Sequence, residues 1–367
     1  MNSQRQLTLA ERLREQIRRE GAISFHDWMA AVLYDEREGY YRRTDLTRWG
    51  RTGDYRTSPE RSPLFAATFA RYFASLYDEL GAPPKWTILE AGAGTGDFAR
   101  VVLETLRREY LHIFQATRYV LDEVGDHTRA RAALSEFGER VDFCSTSEEN
   151  FRCEVGIIFS NELLDALPVH RVRMREGELQ EMFVGLSHAG DFCWIEREPT
   201  TPQLAEHFSR LDIALAEGHF AEINLSAEKW LAKVAAILKR GYIVTVDYGA
   251  EAAELYQSTL RSEGTLRGFR AHQFATNVLA RPGEQDLTTT VNWTRLRRAG
   301  EAAGLVNVSL ERQDEFLLRA GLLEQLESDS IRLASEAERM RLRLGARELI
   351  LPGGMSQNFQ VLVQRKN

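Results

Sequence analysis

Leu89-Glu90-Ala91-Gly92-Ala93-Gly94-Thr95-Gly96 is the stretch whose reading decides the fold. Residues 86–90 form a short apolar run with strand character, and residues 98–109 carry apolar side chains at helical spacing. Glycines at alternate positions let the backbone turn tightly and leave room for a ligand with no Cβ in the way. In doubly wound sheets such a turn, at the carboxyl end of a parallel strand, is where a ligand docks.

Outward from the turn, after Pro83-Pro84, strands and helices alternate. Strands are expected at 119–123, 141–144 and 155–160, with a helix over 126–137. This rhythm predicts a parallel sheet with crossover helices. Upstream, Thr8 and Glu11 fit a capping box ahead of Leu9, Leu13 and Ile17, so a helix is expected over 8–20. Ser24 and Asp27 open a second helix. Pro63 opens a third, whose stripe of Phe65, Phe69, Phe73, Leu76 and Leu80 reads as core and stops at Gly81. Downstream, residues 169–184 predict a hairpin turning at Glu176-Gly177, with a third strand over 191–196. Helices from Thr201-Pro202 and Ser226 precede a strand at 242–247. Residues 250–290 are mostly polar and read as a long functional loop. A helix from Asn292, a strand at 306–310, helices to about residue 347 and a strand over 358–363 follow.

The expected fold is therefore α/β, a Rossmann-like sheet with an N-terminal helical segment and an inserted smaller α+β subdomain. The expected segments are 1–84 (helices and a lid), 85–168 (first half of the core), 169–225 (the insertion) and 226–367 (second half, with the loop 250–290).

Bulk properties narrow the function. The 367 residues are 43% hydrophobic, enough for one large core and a smaller subdomain. A net charge of −7 lacks the basic face that a nucleic-acid footprint needs. Cys144, Cys153 and Cys193 form no C-x-x-C pair, which argues against zinc and thioredoxin-like chemistry and for a reducing compartment. No metal site is expected. The first residues are polar, and Glu11, Glu15 and Glu20 are interleaved with the early arginines, unlike a secretory or mitochondrial leader. No run approaches 18 apolar residues, so no membrane span is expected and the chain reads as cytoplasmic.

The spacing of the glycine turn selects the cofactor. A dinucleotide fold asks for G-x-G-x-x-G, which would place glycine where this chain has Asp97. Glu90 at the strand end would also repel a pyrophosphate. It suits S-adenosylmethionine, whose sulfonium and amino group are positive. Gly92, Gly94 and Gly96 would make the turn, and Glu123, ending the next strand, can accept both ribose hydroxyls. The expected sheet is thus that of a class I methyltransferase.

Ser160-Asn161-Glu162-Leu163-Leu164-Asp165-Ala166-Leu167-Pro168 ends the fourth strand, which would face the methyl group. Methyl transfer is an in-line displacement, so positioning supplies most of the rate, about 7–11 kcal/mol where attack geometry is held. If the acceptor is a guanidinium, carboxylates must bind it as a fork. Glu162 and Asp165 are the catalytic candidates, and Asn161 joins the cofactor set. The competing reading has Asp165 capping a short helix and Glu162 as a solvated loop acid. Gly53-Asp54-Tyr55-Arg56-Thr57-Ser58-Pro59-Glu60 reads as a lid, with Thr57 and Ser58 toward the cofactor and Asp54 toward the substrate. Asp247 and Tyr248, ending the fifth strand, and His272 in the long loop are further substrate-side candidates.

Taken together, these motifs resemble the MidA family, class I methyltransferases that include the mitochondrial complex I assembly factor with protein-arginine methyltransferase activity. The resemblance runs from Gly21-Ala22-Ile23-Ser24-Phe25 and Gly39-Tyr40-Tyr41, through the lid, the glycine turn, Tyr119 with Glu123, and Asn161-Glu162 with Asp165-Ala166-Leu167-Pro168-Val169. It continues through Asp247-Tyr248-Gly249, Gly264-Thr265-Leu266 and His272 to Gly354-Met355. It implies symmetric dimethylation of an arginine in a partner protein, in the mitochondrial member a respiratory complex I subunit. The chain departs from the family at Thr290 and Asn292, where a histidine and an acid are usual. Two other readings remain open: methylation of a small molecule, and an assembly factor that binds the cofactor but acts by docking a partner.

Overall fold

The computed structural model describes residues 6–45, 62–144, 151–270, 273–351 and 358–367. The chain divides into two compact units, each drawn from three segments. One takes its residues from Arg56–Leu163, Trp230–Gly249 and Arg297–Asn367, the other from Met1–Tyr55, Leu164–Lys229 and Ala250–Leu296.

The first of these is built on a sheet of β1 (Trp86–Ala91), β2 (Thr117–Asp122), β3 (Val141–Cys144), β4 (Cys153–Asn161), β5 (Leu238–Ala250), β6 (Val306–Arg312) and β7 (Phe359–Lys366). Their order is β3-β2-β1-β4-β5-β7-β6. The first five are parallel, and β7 runs antiparallel to both neighbours. The chain winds outward from β1 to β3 and then returns to the other side of β1 as β4. The strand order therefore reverses beside the carboxyl end of β1, the position where open α/β sheets bind ligands. This is the Rossmann-like α/β sheet that the sequence led us to expect.

One face of the sheet is sealed by aromatic packing. Ser62 caps the helix Pro63–Glu79 by accepting from Leu64 N, and Pro63 sits in its first turn, where a missing N–H costs nothing. That helix brings Phe69 to within 5.1 Å of Phe159 on β4, and Phe98 from the helix Asp97–Glu109 stacks on the same ring at 4.4 Å. Each fully buried phenylalanine contributes about 1.5–3 kcal/mol by leaving water. Tyr242, Val244 and Val246 of β5 join this core. Side chains alternate along a strand, so Thr245 and Asp247 belong to the opposite face.

In the other unit the helices Leu9–Glu20 and Phe25–Tyr34 share a core with Val169, Val184 and Leu287. The capping box of Thr8 and Glu11 is present. Its larger sheet is made by His170–Arg175, Glu178–Leu186, Phe192–Arg197, Phe220–Ile223 and Ile23–Ser24. The expected hairpin turns where expected: Glu176 and Gly177 both take positive φ (53° and 78°), the geometry of a two-residue hairpin turn.

Two local expectations change. The loop expected over 250–290 contains the helix Ala252–Gln257 and the strands Arg267–Arg270, Gln273–Phe274 and Asp286–Thr288. These elements are too short and polar to leave a readable period. The single helix expected over 126–137 is instead Thr128–Ala133 followed by a 3₁₀ turn, Ser135–Arg140, in which Gly138 takes φ 55°. Among the described residues no helix is long and apolar enough to cross a membrane.

Candidate active site

β1 delivers the glycine turn directly. Gly92, Gly94 and Gly96 take φ of 72°, 53° and 78°, the left-handed region that costs other residues about 1–2 kcal/mol. Space enforces the same choice. A Cβ on Gly92 would lie 3.0 Å from Leu163 Cδ1, and one on Gly96 would lie 3.1 Å from the Ala130 backbone. Gly92 N donates to the Asp122 carbonyl, which ties the turn to the end of β2.

Two acids frame this turn. Glu90 is buried and accepts a 2.8 Å hydrogen bond from the Tyr119 hydroxyl. Burial pushes its carboxyl up to about 8, and the nearby Glu123 adds to the rise, while the Tyr119 bond opposes it. Burial also raises the Tyr119 hydroxyl, with Glu90 beside it adding to the effect. A cation beside Glu90 would reverse that rise by favouring the carboxylate. Glu123 is held by two backbone donors, Gly94 N to one oxygen (2.8 Å) and Gly125 N to the other (2.7 Å). Each oxygen keeps a further acceptor site, enough for a diol. Asn161 Oδ1 and Ser160 Oγ at the end of β4 are buried without a partner, the kind of unmet polar atom that a bound molecule satisfies. An unmet amide, a buried acid awaiting a cation and a backbone stripped of Cβ atoms fit S-adenosylmethionine.

β4 and β5 carry the next group. Glu162 takes φ 51°, rare for a residue with a side chain, and its N–H donates to the Val246 carbonyl of β5. The left-handed bend ends β4 and turns the side chain out of the strand's alternation. Asn161 Nδ2 donates to Glu162 Oε1 at 3.0 Å, so the two side chains are set together. Asp247 is buried and accepts from Tyr248 N, and the Tyr248 ring packs on Phe359 with centroids 3.9 Å apart.

Asp165 belongs to the other unit. It is buried, and its carbonyl accepts from Thr289 N at 2.9 Å. No helix begins directly after it, so its reading as a helix cap is withdrawn; Asp165 and Ala166 lie in a turn flanked by bends. Asp54, Thr57, Ser58 and His272 lie outside the described residues. Sequence reasoning missed Tyr119 as the partner of Glu90, and missed Glu222. Glu222 accepts from Thr265 N (2.6 Å) and Thr265 Oγ1 and faces Arg171 at 3.1 Å. Gly264 lets that contact form, since a Cβ there would lie 2.4 Å from Glu222 Oε1. Both are contacts across distant segments, with no local spacing to betray them.

The family model of S-adenosyl-L-methionine-dependent methyltransferases, Methyltransf_28, matches residues 68–310. The chain belongs to this family. A Burkholderia thailandensis protein described as a methyl transferase, solved bound to S-adenosyl-homocysteine, superposes with a TM-score of 0.84 at 29% identity, over 97% of this chain and 91% of its own. The mitochondrial protein arginine methyltransferase NDUFAF7 homolog of Drosophila melanogaster is 25% identical, over 97% of this chain and 84% of its own length. The human mitochondrial protein arginine methyltransferase NDUFAF7 is also 25% identical, over 94% of this chain and 80% of its own. The chain is an S-adenosylmethionine-dependent methyltransferase, as its glycine turn led us to expect. The expectation of a cytoplasmic protein is corrected by these same relatives, which are named as mitochondrial. Three cysteines with no C-x-x-C pair fit any reducing compartment, so they could not separate the two.

Proposed function

We propose that this methyltransferase modifies an arginine in a partner protein. The single observation that carries this reading is Glu162, an acid in a left-handed bend at the end of β4, tethered to Asn161 and hence held for a cationic acceptor. The names of the mitochondrial relatives support the same choice of substrate. When bound, S-adenosylmethionine supplies an electrophilic methyl group on a sulfonium. Glu90 provides the negative charge beside it, the Gly92–Gly94–Gly96 backbone gives it room, Glu123 accepts its ribose hydroxyls, and Asn161 meets its polar edge. Thr57 and Ser58 are assigned to the cofactor side. Glu162 is assigned to the guanidinium, where it orients the attacking nitrogen and offsets its positive charge, and Asp165 is the second catalytic candidate. Asp54, Asp247, Tyr248 and His272 are assigned to the acceptor side. In segments, 1–84 is assigned to the helices and lid, 169–225 to the insertion, and 250–290 to acceptor choice.

The finer reading is symmetric dimethylation of a respiratory complex I subunit, which rests on the family resemblance. The test is incubation of the purified protein with methyl-labelled cofactor and a lysate, then mass spectrometry of labelled peptides. Label on an arginine, abolished in Glu162→Gln, is the expected result. Label found solely on small molecules would replace this reading with a metabolite methyltransferase.

A further inference from the structure

The helices Leu322–Arg332 and Glu336–Ile350 are joined by three residues and form a hairpin. Leu322, Leu342, Ala346 and Leu349 bury one side of it in the core. The outer side should be polar in a surface hairpin. Here it is interrupted by large apolar side chains: Leu323 is 53% exposed, Ile331 78%, Met340 48% and Leu344 47%. Leu323, Leu326 and Ile331 line one wall of an open groove of about 400 Å³, with Arg339 and Arg343 on the other. A clustered apolar surface of this kind, rimmed by charge, marks an association site.

We propose that this hairpin docks on the same hairpin of a second copy of the chain. The charges select that occupant. The wall from Leu322–Arg332 carries Glu327 at the groove and Glu324 one turn away, whereas the facing wall carries Arg339 and Arg343. A two-fold axis parallel to the helices sets the first helix of each copy against the second helix of the other. Glu327 then meets the arginine wall twice, and the exposed leucines and Ile331 close over one another. A two-fold across the helices would oppose like walls and is disfavoured. Arg339 and Arg343 now contact Glu336 of their own helix at 2.9 and 3.4 Å, exposed pairs worth little and readily exchanged.

Sedimentation velocity of the full chain over a concentration series tests this. The expected result is a reversible dimer whose dissociation constant rises roughly thirtyfold in Ile331→Glu, the scale of an interface hot spot. Glu327→Arg and Arg343→Glu should each weaken association, and the double reversal should restore it. All of these positions are exposed, and unchanged circular dichroism melts will show that the variants fold. A chain that stays monomeric throughout overturns the proposal, as does a dimer indifferent to Ile331→Glu or a double reversal that fails to restore it.

Discussion

The two units solve the problem of holding an acid in different ways. In the sheet unit Glu123, just past the last residue of β2, is held by two main-chain N–H groups, and Glu90, next to last in β1, meets the Tyr119 hydroxyl of the adjoining strand. In the other unit Glu222 is fixed by side chains and backbone from remote segments, Arg171 on one side and Thr265 on the other. His207, Tyr256 and Asn292 make a second knot there: the Tyr256 hydroxyl donates to the Glu222 carbonyl, while His207 Nε2 and Asn292 Nδ2 lie at 3.0 and 3.2 Å from it. Burial holds His207 down at about 3, so it is neutral there and serves packing. Asn292 also accepts from Arg295 N, the bond of a helix cap, which gives the departure from the family pattern a structural role. A local motif survives in sequence as a readable word, whereas a knot tied across segments does not.

The sharpest test of this contrast is catalytic. Glu162→Gln should lower methyl transfer by about 100- to 1000-fold while calorimetry with S-adenosyl-homocysteine shows unchanged affinity. A parallel loss of affinity would move Glu162 into the cofactor set. Next, Glu222→Gln strands the largely buried Arg171 charge and should cost about 3 kcal/mol in urea unfolding. A neutral result would show that the remote knot is dispensable. Glu90→Gln keeps an acceptor for Tyr119 but removes the charge, so donor binding should weaken about 10- to 100-fold. Gly92→Ala should destabilise the sheet unit by about 1–2 kcal/mol through its φ alone, with crowding at Leu163 adding to it.

A further test concerns pH. Glu90 sits near 8 in the fold against an ordinary value of 4.5, so between those values the folded state binds the extra proton. Stability from this group therefore falls as pH rises from 4.5 to 8. The slope of melting temperature against pH should be shallower in Glu90→Gln than in the parent. Equal slopes would mean that Glu90 is ionised throughout.

By itself, the sequence determined the alternation of strands and helices, the glycine turn with Glu90, the cofactor and the two-residue hairpin turn at Glu176-Gly177. These depend on spacing of 2, 3.6 or a few residues, and such periods are local physics. The tertiary structure alone decided that Tyr119 supports Glu90, that Glu162 bends left-handed against Val246, that Asp165 caps no helix, and that 250–290 holds strands. Each of these rests on a partner brought close by the fold from elsewhere in the chain, or on strands too short and polar to show a period.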